Sequence, residues 1–288
     1  MPGVPIERIT TILQSIRSSA ENSIWEIPEK SLAIGFSGGI DSSILASLLV
    51  RDGRDVKLLA VGRAGSFDIH SAAIAGQILS PDNFLRSTIQ ESEIENAAKQ
   101  VASVVTVKSL AHFEDCTGFW LISERVQKMR GVSELISANG PDELFCGYDK
   151  FRRIIDLEGY ESAQKEIRAA LRIAGDLAIQ VKSVTSLFGL RICEPFLSEK
   201  FRMAALEIPI ELKILQGNDF LRKRIWRCFG RLIGLPEEIV LRPKKAMQYG
   251  MGVHQIVRKM MKQGTLKLEF KSGKEETGNR HLKRESRS

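Results

Sequence analysis

The stretch SLAIGFSGGIDSSILASLLV, residues 31–50, joins an apolar run to a turn of glycine and serine and then to a second apolar run. The first run has the length and composition of a buried strand, and the second predicts a helix over 42–53 that ends at Gly53. Glycines let backbone amides approach a bound anion closely, and the start of a helix presents free N–H groups to it. The stretch therefore predicts a strand-to-helix junction that holds an anion.

The order of strand and helix repeats through the first half of the chain. After a leading helix over 5–18, the apolar patterns predict strands at 31–36, 56–62, 83–89 and 133–139, and helices at 42–53, 67–79, 91–105 and 112–129. This alternation predicts the α/β class, with a doubly wound parallel sheet. From Pro141 onward the patterns are mainly helical, and they include a helix over 219–233.

These patterns divide the chain into three parts. We expect a leading helix within residues 1–21 and a charged, disordered tail over 263–288, where the apolar periodicity has faded. Between them, one domain over 22–262 would hold its sheet in about residues 22–150 and its helical part in about residues 151–262.

The composition excludes several classes of protein. No apolar run approaches the ~20 residues of a membrane span, and the first residues, MPGVPIERIT, lack the pattern of a secretory signal. The four cysteines lie far apart, without the Cys-x-x-Cys pairs or Cys/His clusters of a zinc site. We expect a reduced, cytoplasmic protein that does not contact a membrane.

The net charge of +7 is distributed unevenly. Residues 222–245, RKRIWRCFGRLIGLPEEIVLRPKK, contain eight basic and two acidic side chains. A basic segment of this kind can bind nucleic acid or polyphosphate, or simply face solvent. Trp226, within it, is expected in the hydrophobic core rather than stacked on a base.

The turn after the first strand has the chemistry of a nucleotide site. Ser37, Gly38, Gly39 and Ser42 would form a nest for phosphate oxygens at the carboxyl edge of the sheet, where parallel sheets bind ligands. Asp41 would repel phosphate unless a cation bridges them, so it indicates Mg²⁺ between its carboxylate and a nucleotide. The Gly-x-x-x-x-Gly-Lys-Ser/Thr and Gly-x-Gly-x-x-Gly loops do not occur in the chain. A purely structural alternative is a Gly-Gly turn capped by aspartate and serine.

The motif Ser-Gly-Gly-x-Asp-Ser at 37–42 resembles the signature of the ATP pyrophosphatases, or PP-loop enzymes. The resemblance implies a Rossmann-like sheet that binds ATP, adenylylates a substrate and releases pyrophosphate, after which a nitrogen or sulfur nucleophile displaces AMP. The motif alone leaves open the asparagine, NAD, GMP, argininosuccinate and tRNA lysidine synthetases, and the tRNA thiolases.

Two further stretches resemble asparagine synthetases. LLAVGRAGSFDIHSAA, 58–73, is similar to their second strand, which implies that Val61 and Gly62 lie beside the nucleotide. SANGPDELFCGYDKF, 137–151, is similar to the Ser-Gly-Glu-Gly-Ser-Asp-Glu-Leu-Phe-Gly-Gly-Tyr segment of asparagine and β-lactam synthetases. This second resemblance implies that Asp142 shares Mg²⁺ with Asp41, although a carboxylate at a helix start is also favourable without ligand. It further implies nucleotide contacts from Ser137, Ala138 and Gly140.

The second stretch also departs from the family. Ala138 and Asn139 stand where the family usually has glycine and glutamate, and that glutamate is often assigned a role in handling the substrate or a proton. Asparagine can donate and accept hydrogen bonds but cannot act as a base. Asn139 is therefore a candidate catalytic residue whose chemistry differs from that of the family.

Two later stretches complete the resemblance. EIVLRPKKAMQYGMG, 238–252, is similar to the Arg-x-Lys segment of the family, which implies that Lys244 contacts pyrophosphate and the acyl-adenylate. Arg242 and Lys245 are expected to face solvent. RICEPFLSEKFRMAALEIPIELKI, 191–214, is similar to the family's Arg-x-Pro-Phe-Leu-Asp segment. Arg191 is a minor site candidate there. The residues of this segment expected in the hydrophobic core are Pro195, Phe196, Phe201, Ala205 and Ile208.

The chain is accordingly identified as a member of the asparagine synthetase C-terminal domain family, and we expect a form without a glutaminase, because about 20 residues precede the predicted domain over 22–262. The resemblance implies an amidoligase that uses ATP and Mg²⁺ to convert a carboxylate, aspartate in the first place, with ammonia supplied directly or by a separate glutaminase subunit. Nucleic acid is not expected as a partner. Two alternatives remain: a PP-loop enzyme that modifies tRNA, and a non-catalytic ATP-binding subunit.

Overall fold

The sheet is parallel and doubly wound, as the alternation predicts. The computed structural model describes residues 5–270 except 107, 218 and 244–246, and it leaves the side chain of Phe67 undescribed. Within these residues, five strands form one sheet in the order β3-β2-β1-β4-β5, with every neighbouring pair parallel. The strands are β1 Ser31–Gly35, β2 Asp55–Arg63, β3 Phe84–Ile89, β4 Glu134–Ile136 and β5 Arg191–Cys193.

Helices cover both faces of this sheet. In chain order they are α1 Ile6–Trp25, α2 Ile40–Arg51, α3 Phe67–Leu79, α4 Glu91–Val104, α5 Leu110–Val126, α6 Pro141–Leu144, α7 Asp149–Glu158, α8 Tyr160–Ser186, α9 Glu199–Leu206, α10 Ile210–Lys213, α11 Arg224–Leu232, α12 Glu237–Val240, α13 Met247–Gly250 and α14 Val253–Lys262. None of the helices in the described part of the chain combines the length and the apolar character that a bilayer crossing requires.

Alternate residues of β1 supply the two cores. Leu32 and Ile34 point to one face of the sheet, where they pack with buried residues of α1, α2 and α11. Ala33 points to the other face, where the cluster contains residues of α4, α5 and α14. The strand order reverses between β1 and β4, and the carboxyl ends of two such strands flank the crevice in which open α/β sheets bind ligands.

Three elements differ from the sequence-based expectation. The patterns did not predict β5, which has three residues and follows the long helix α8. The strand expected over 133–139 ends at Ile136, because the chain then turns: the amide of Asn139 donates to Ser137 Oγ at 3.2 Å. Ser92 and Glu95 have the sequence spacing of a capping box, but the box that caps α4 consists of Gln90 and Glu93.

The helix expected over 219–233 begins only at Arg224. Arg222 and Lys223 precede it with φ of +53° and +52°, which a right-handed helix does not contain. Leu232 follows Ile225 and Phe229 at helical spacing, but it is 51% exposed whereas those two residues are buried.

The aromatic core beneath the sheet agrees with the expectation. Trp226 is fully buried, and its ring stacks on Phe145 and Phe229 with centroid distances of 4.8 and 5.3 Å. Phe196 meets the same indole edge-on at 5.1 Å. The expected core of the 191–214 segment is also buried, namely Pro195, Phe196, Phe201, Ala205 and Ile208.

Candidate active site

The turn between β1 and α2 has the geometry that its glycines suggested. Gly38 has a φ of +66°, and a Cβ at this position would lie 2.6 Å from the carbonyl oxygen of Ser71. Gly39 is the residue before the first turn of α2, and its amide donates to Ser37 Oγ at 3.3 Å. The same hydroxyl lies 3.3 Å from Ser42 Oγ. The chain is thus drawn tightly against α3, and the start of a twelve-residue helix faces the end of the strand.

A second loop, after β4, faces this turn across the switch point. The amide of Ser137 donates to the carbonyl oxygen of Cys193 at 2.9 Å, so this loop stays attached to β5. Gly140 has a φ of +113°, and a Cβ there would lie 2.7 Å from the carbonyl oxygen of Phe196. This close approach starts α6 at Pro141 and brings Asp142 to the edge of the site.

The two predicted metal-binding aspartates meet at a lysine. Lys223 Nζ lies 2.5 Å from Asp41 Oδ2 and 2.7 Å from Asp142 Oδ1. The second oxygen of Asp41, Oδ1, accepts from Trp226 Nε1 at 2.9 Å. Burial opposes the charge of Lys223, but the carboxylates of Asp142 and Asp41 more than compensate, and its pKa is raised. The structure thus brings both aspartates together. The sequence did not predict that Lys223 lies between them or that the indole of Trp226 donates to Asp41.

One cavity collects most of the predicted residues. Its volume is about 580 Å³, and it extends from the carboxyl ends of β1, β2 and β4 to α5, α7 and α8. The predicted residues that line it are Ser37, Gly39, Asp41, Ser42, Val61, Ser137, Ala138, Asn139, Gly140 and Asp142. Gly38 and Gly62 do not line it but permit close packing behind it, since a Cβ on Gly62 would lie 2.8 Å from Ser66 Oγ.

Asn139 faces a carboxylate. Its Nδ2 donates to Glu194 Oε1 at 2.8 Å, and burial raises the pKa of Glu194. A negative group therefore lies directly behind the asparagine, contributed by the segment after β5. The resemblance to the family did not single out Glu194, because the residue directly precedes the Pro-Phe-Leu motif, at the position that the family pattern leaves unspecified.

A second buried carboxyl group lies in the cavity wall. Tyr148 donates from its hydroxyl to Glu143 Oε1 at 2.6 Å. Burial and then the neighbouring charge of Asp142 raise the pKa of Glu143 to about 7. Glu143 and Tyr148 both line the cavity, so a group that gains or loses a proton near neutral pH faces the ligand space.

Arg242 is internal, and the expectation that it faces solvent is wrong. Its side chain is 10% exposed, donates to the carbonyl oxygen of Ser37 at 2.6 Å and lies 3.1 Å from Asp68 Oδ1. It thus attaches the segment before α13 to the turn after β1. Lys244, the predicted pyrophosphate contact, and Lys245 lie outside the described residues. Arg191 is 61% exposed and pairs with Glu29 and Glu134, and it is not part of the cavity wall that the structure describes.

Comparisons with known proteins agree on one family. The family described as asparagine synthase matches residues 29–173 and 173–276. A curated protein of Methanocaldococcus jannaschii, which bears the name of a glutamine-hydrolysing asparagine synthetase, is 29% identical over 259 residues. That match covers 78% of this chain and 47% of the relative, so the chain spans about half the length of the protein it resembles.

One solved structure is distantly similar. The chain aligns with NMN synthetase from Francisella tularensis over 91% of its own length and 98% of that chain, at 15% identity and a TM-score of 0.34. A similarity this low bears on neither the fold nor the function.

Proposed function

Because the chain belongs to the asparagine synthase family, a family of carbon–nitrogen ligases, we propose that it is an ATP-dependent amidoligase. The observation that supports this most directly is the meeting of Asp41 and Asp142, from the loops after β1 and β4, at one cavity over the switch point of the sheet. An anion nest and two carboxylates on facing loops suit a nucleoside triphosphate and its metal ion.

ATP would bind with its phosphates against Ser37, Gly38, Gly39 and Ser42 and against the start of α2. Backbone amides and the positive end of that helix favour negative charge there. The base would lie beside Val61 and Gly62, at the end of β2. Further contacts would come from Ser137, Ala138 and Gly140, the loop that faces the turn.

Asp41 and Asp142 would hold Mg²⁺. Their side chains are 21% and 22% exposed, and both residues line the cavity, where their carboxylate oxygens also contact Lys223. Such oxygens are the ligands that Mg²⁺ prefers, and the bound ion would neutralise charge on the phosphates. Lys244 would add a mobile positive charge against the leaving pyrophosphate.

The acceptor would be a small carboxylate, with aspartate as the first candidate. Its carboxylate oxygen would attack the α-phosphorus of ATP. The bond from the α-phosphorus to the oxygen that bridges it to the β-phosphate would break, and pyrophosphate would leave. Ammonia then attacks the acyl carbon of the adenylate, AMP departs and an amide remains. Asn139, backed by Glu194, would orient the acceptor by hydrogen bonds, because an amide cannot remove a proton.

The test is exchange of labelled pyrophosphate into ATP with each candidate acid, followed by AMP formation with ammonium or with glutamine. We expect aspartate to stimulate the exchange and ammonium to release AMP. Glutamine would support turnover only when a separate glutaminase subunit is added. An Asp142→Asn variant should lose exchange while it retains its fold. If aspartate has no effect and another acid does, the acceptor is wrong and the ligase class stands.

The two alternatives make different predictions in the same assay. A non-catalytic subunit would bind ATP but release no AMP with any acceptor. An enzyme that adenylylates tRNA would need accessible cations, and among the described residues of the basic segment 222–245 Lys223 and Arg227 are only 0% and 3% exposed. That burial favours a small-molecule acceptor over RNA.

A further inference from the structure

The cation between Asp41 and Asp142 belongs to the protein itself. Lys223 is 0% exposed, whereas the two aspartates reach the cavity surface with about one-fifth of each side chain. Its Nζ lies 2.5 and 2.7 Å from one oxygen of each carboxylate. The ammonium group therefore approaches from inside the molecule and lies between the two carboxylates that would hold a metal ion.

The backbone holds this lysine in place. Lys223 and Arg222 both have left-handed φ values, +52° and +53°, which are costly for residues other than glycine. The amide of Arg222 donates to Asp219 Oδ1 at 3.0 Å, and the carbonyl oxygen of Lys223 accepts from the amide of Arg227 at 2.9 Å. The lysine is thus the first residue of a folded unit rather than the end of a flexible arm.

The chain also packs closely against this ion pair at Gly147. Gly147 packs against the ion pair, and a Cβ on it would lie 2.0 Å from Asp142 Oδ1 and 2.3 Å from Lys223 Cε. Absence of a side chain at 147 is therefore a condition for the bridge. Strained backbone, an absent side chain and two short ion pairs all act to keep one ammonium group between two carboxylates.

We propose that Lys223 is an internal counter-cation that closes the Asp41–Asp142 pair to divalent metal until a nucleotide is bound. A divalent ion that entered alone would meet the ammonium group at short range, and like charges there repel strongly because the lysine is shielded from water. A triphosphate brings the negative charge that lets both cations stay, and it offers the ammonium group a new partner. Metal would then bind only together with ATP. This inference rests on the proposed role of the two aspartates.

Mn²⁺ binding tests it without any turnover. Free Mn²⁺ is measured by electron paramagnetic resonance during titration of the protein, first alone and then with a non-cleavable α,β-methylene analogue of ATP, and the Mn²⁺ that the analogue binds in a protein-free titration is subtracted. We expect Mn²⁺ to bind the unmodified protein at least tenfold more tightly with the analogue than without it. Lys223→Met should bind Mn²⁺ without the analogue at least tenfold more tightly than the unmodified protein does. Lys213→Met is the matched control, because Lys213 is also buried but contacts the carbonyl oxygen of Ala205, and it should behave as the unmodified protein.

Several outcomes would overturn the proposal. One is that, in the absence of the analogue, the unmodified protein binds Mn²⁺ tightly and Asp142→Asn abolishes this binding. This result does not depend on whether Lys223→Met folds. Another is an analogue that binds without bringing Mn²⁺. A failure of the amidoligase proposal is read separately, from the exchange assay. If no acid stimulates exchange, but Mn²⁺ binding depends on the analogue in the unmodified protein and not in Lys223→Met, the counter-cation is supported and the reaction is rejected.

Discussion

Gly38 lies at the bottom of the turn after β1, where no side chain fits. Its left-handed φ of +66° and the carbonyl oxygen of Ser71, 2.6 Å from a Cβ, both require glycine. We expect Gly38→Ala to displace the turn, to lower ATP affinity at least tenfold, and to reduce the free energy of unfolding by about 1–3 kcal/mol. Calorimetric titration with ATP and urea unfolding measure the two effects.

Gly53→Ala is the control for that substitution. Gly53 has a similar φ of +74°, but no atom lies within 4 Å of a Cβ there, and the residue is remote from the cavity wall. The free energy of unfolding should fall by about 1 kcal/mol while ATP affinity stays unchanged. Equal losses of ATP affinity in the two variants would show that the turn does not bind phosphate.

Lys213 gives the protein a pH dependence above neutrality. The side chain is 1% exposed and donates to the carbonyl oxygen of Ala205 at 2.7 Å, and burial lowers its pKa from 10.5 to about 8. Between these two values the unfolded chain binds a proton that the folded chain has released. Stability should therefore rise with pH in this window, by about 3 kcal/mol in total.

Urea unfolding at intervals from pH 7.5 to 10.5 measures this slope. In Lys213→Met the contribution disappears, so the difference in unfolding free energy between the two proteins should change steadily across the window. Parallel pH curves for the two proteins would mean that Lys213 is charged in the folded state throughout.

At the scale of elements, the sequence predicted a helix or strand correctly where contiguous residues determine it. The junction of β1 and α2 was predictable because the apolar run, the glycines and the helix start are contiguous. The start of α11 was not, since two left-handed residues interrupt a pattern that reads as continuous helix. The bridge from Lys223 to Asp41 was equally hidden, because it joins residues 182 positions apart and a count of charges shows only a basic segment. β5 was missed because three residues carry too little periodicity.

Arg242 couples two elements that are distant in the chain. It attaches the segment between α12 and α13 to the turn after β1, through the carbonyl oxygen of Ser37 and the carboxylate of Asp68. We expect Arg242→Met to release that segment, lowering ATP affinity about tenfold and the free energy of unfolding by about 2–4 kcal/mol, because a buried carboxylate loses an ion pair. The same titration and unfolding assays apply.

Arg231→Met provides the comparison. Arg231 also pairs with a carboxylate, Glu237, at 2.6 and 2.9 Å, but its side chain is 44% exposed. Exposed pairs contribute about 0–1 kcal/mol, so this variant should be nearly neutral in both assays. A comparable loss of ATP affinity in both arginine variants would assign the effect to general loss of positive charge.

At the scale of the molecule, part of the positive charge is buried. The segment 222–245 holds much of the positive charge, yet Lys223 and Arg227 lie inside, where they hold aspartates and backbone carbonyl groups. We expect tRNA to bind only weakly, with a dissociation constant above about 10 μM at physiological salt. Filter binding at several salt concentrations measures this. Tight binding that weakens steeply with salt would favour the tRNA-modifying alternative.

The fold as a whole was accessible from the sequence because the α/β alternation repeats, and so were the residues that line the cavity after β1 and β4. The walls contributed by α5, α7 and α8 were not, since their cavity-facing side chains come together only when the helices pack. The hydrogen bond from Trp226 to Asp41 has a practical consequence of this kind. Trp25 is 62% exposed and Trp120 packs on Phe188, whereas Trp226 is fully buried and donates to an aspartate that lines the cavity. We expect the fluorescence of Trp226 to change when a ligand or a metal ion binds at Asp41, so that binding can be followed without an attached label.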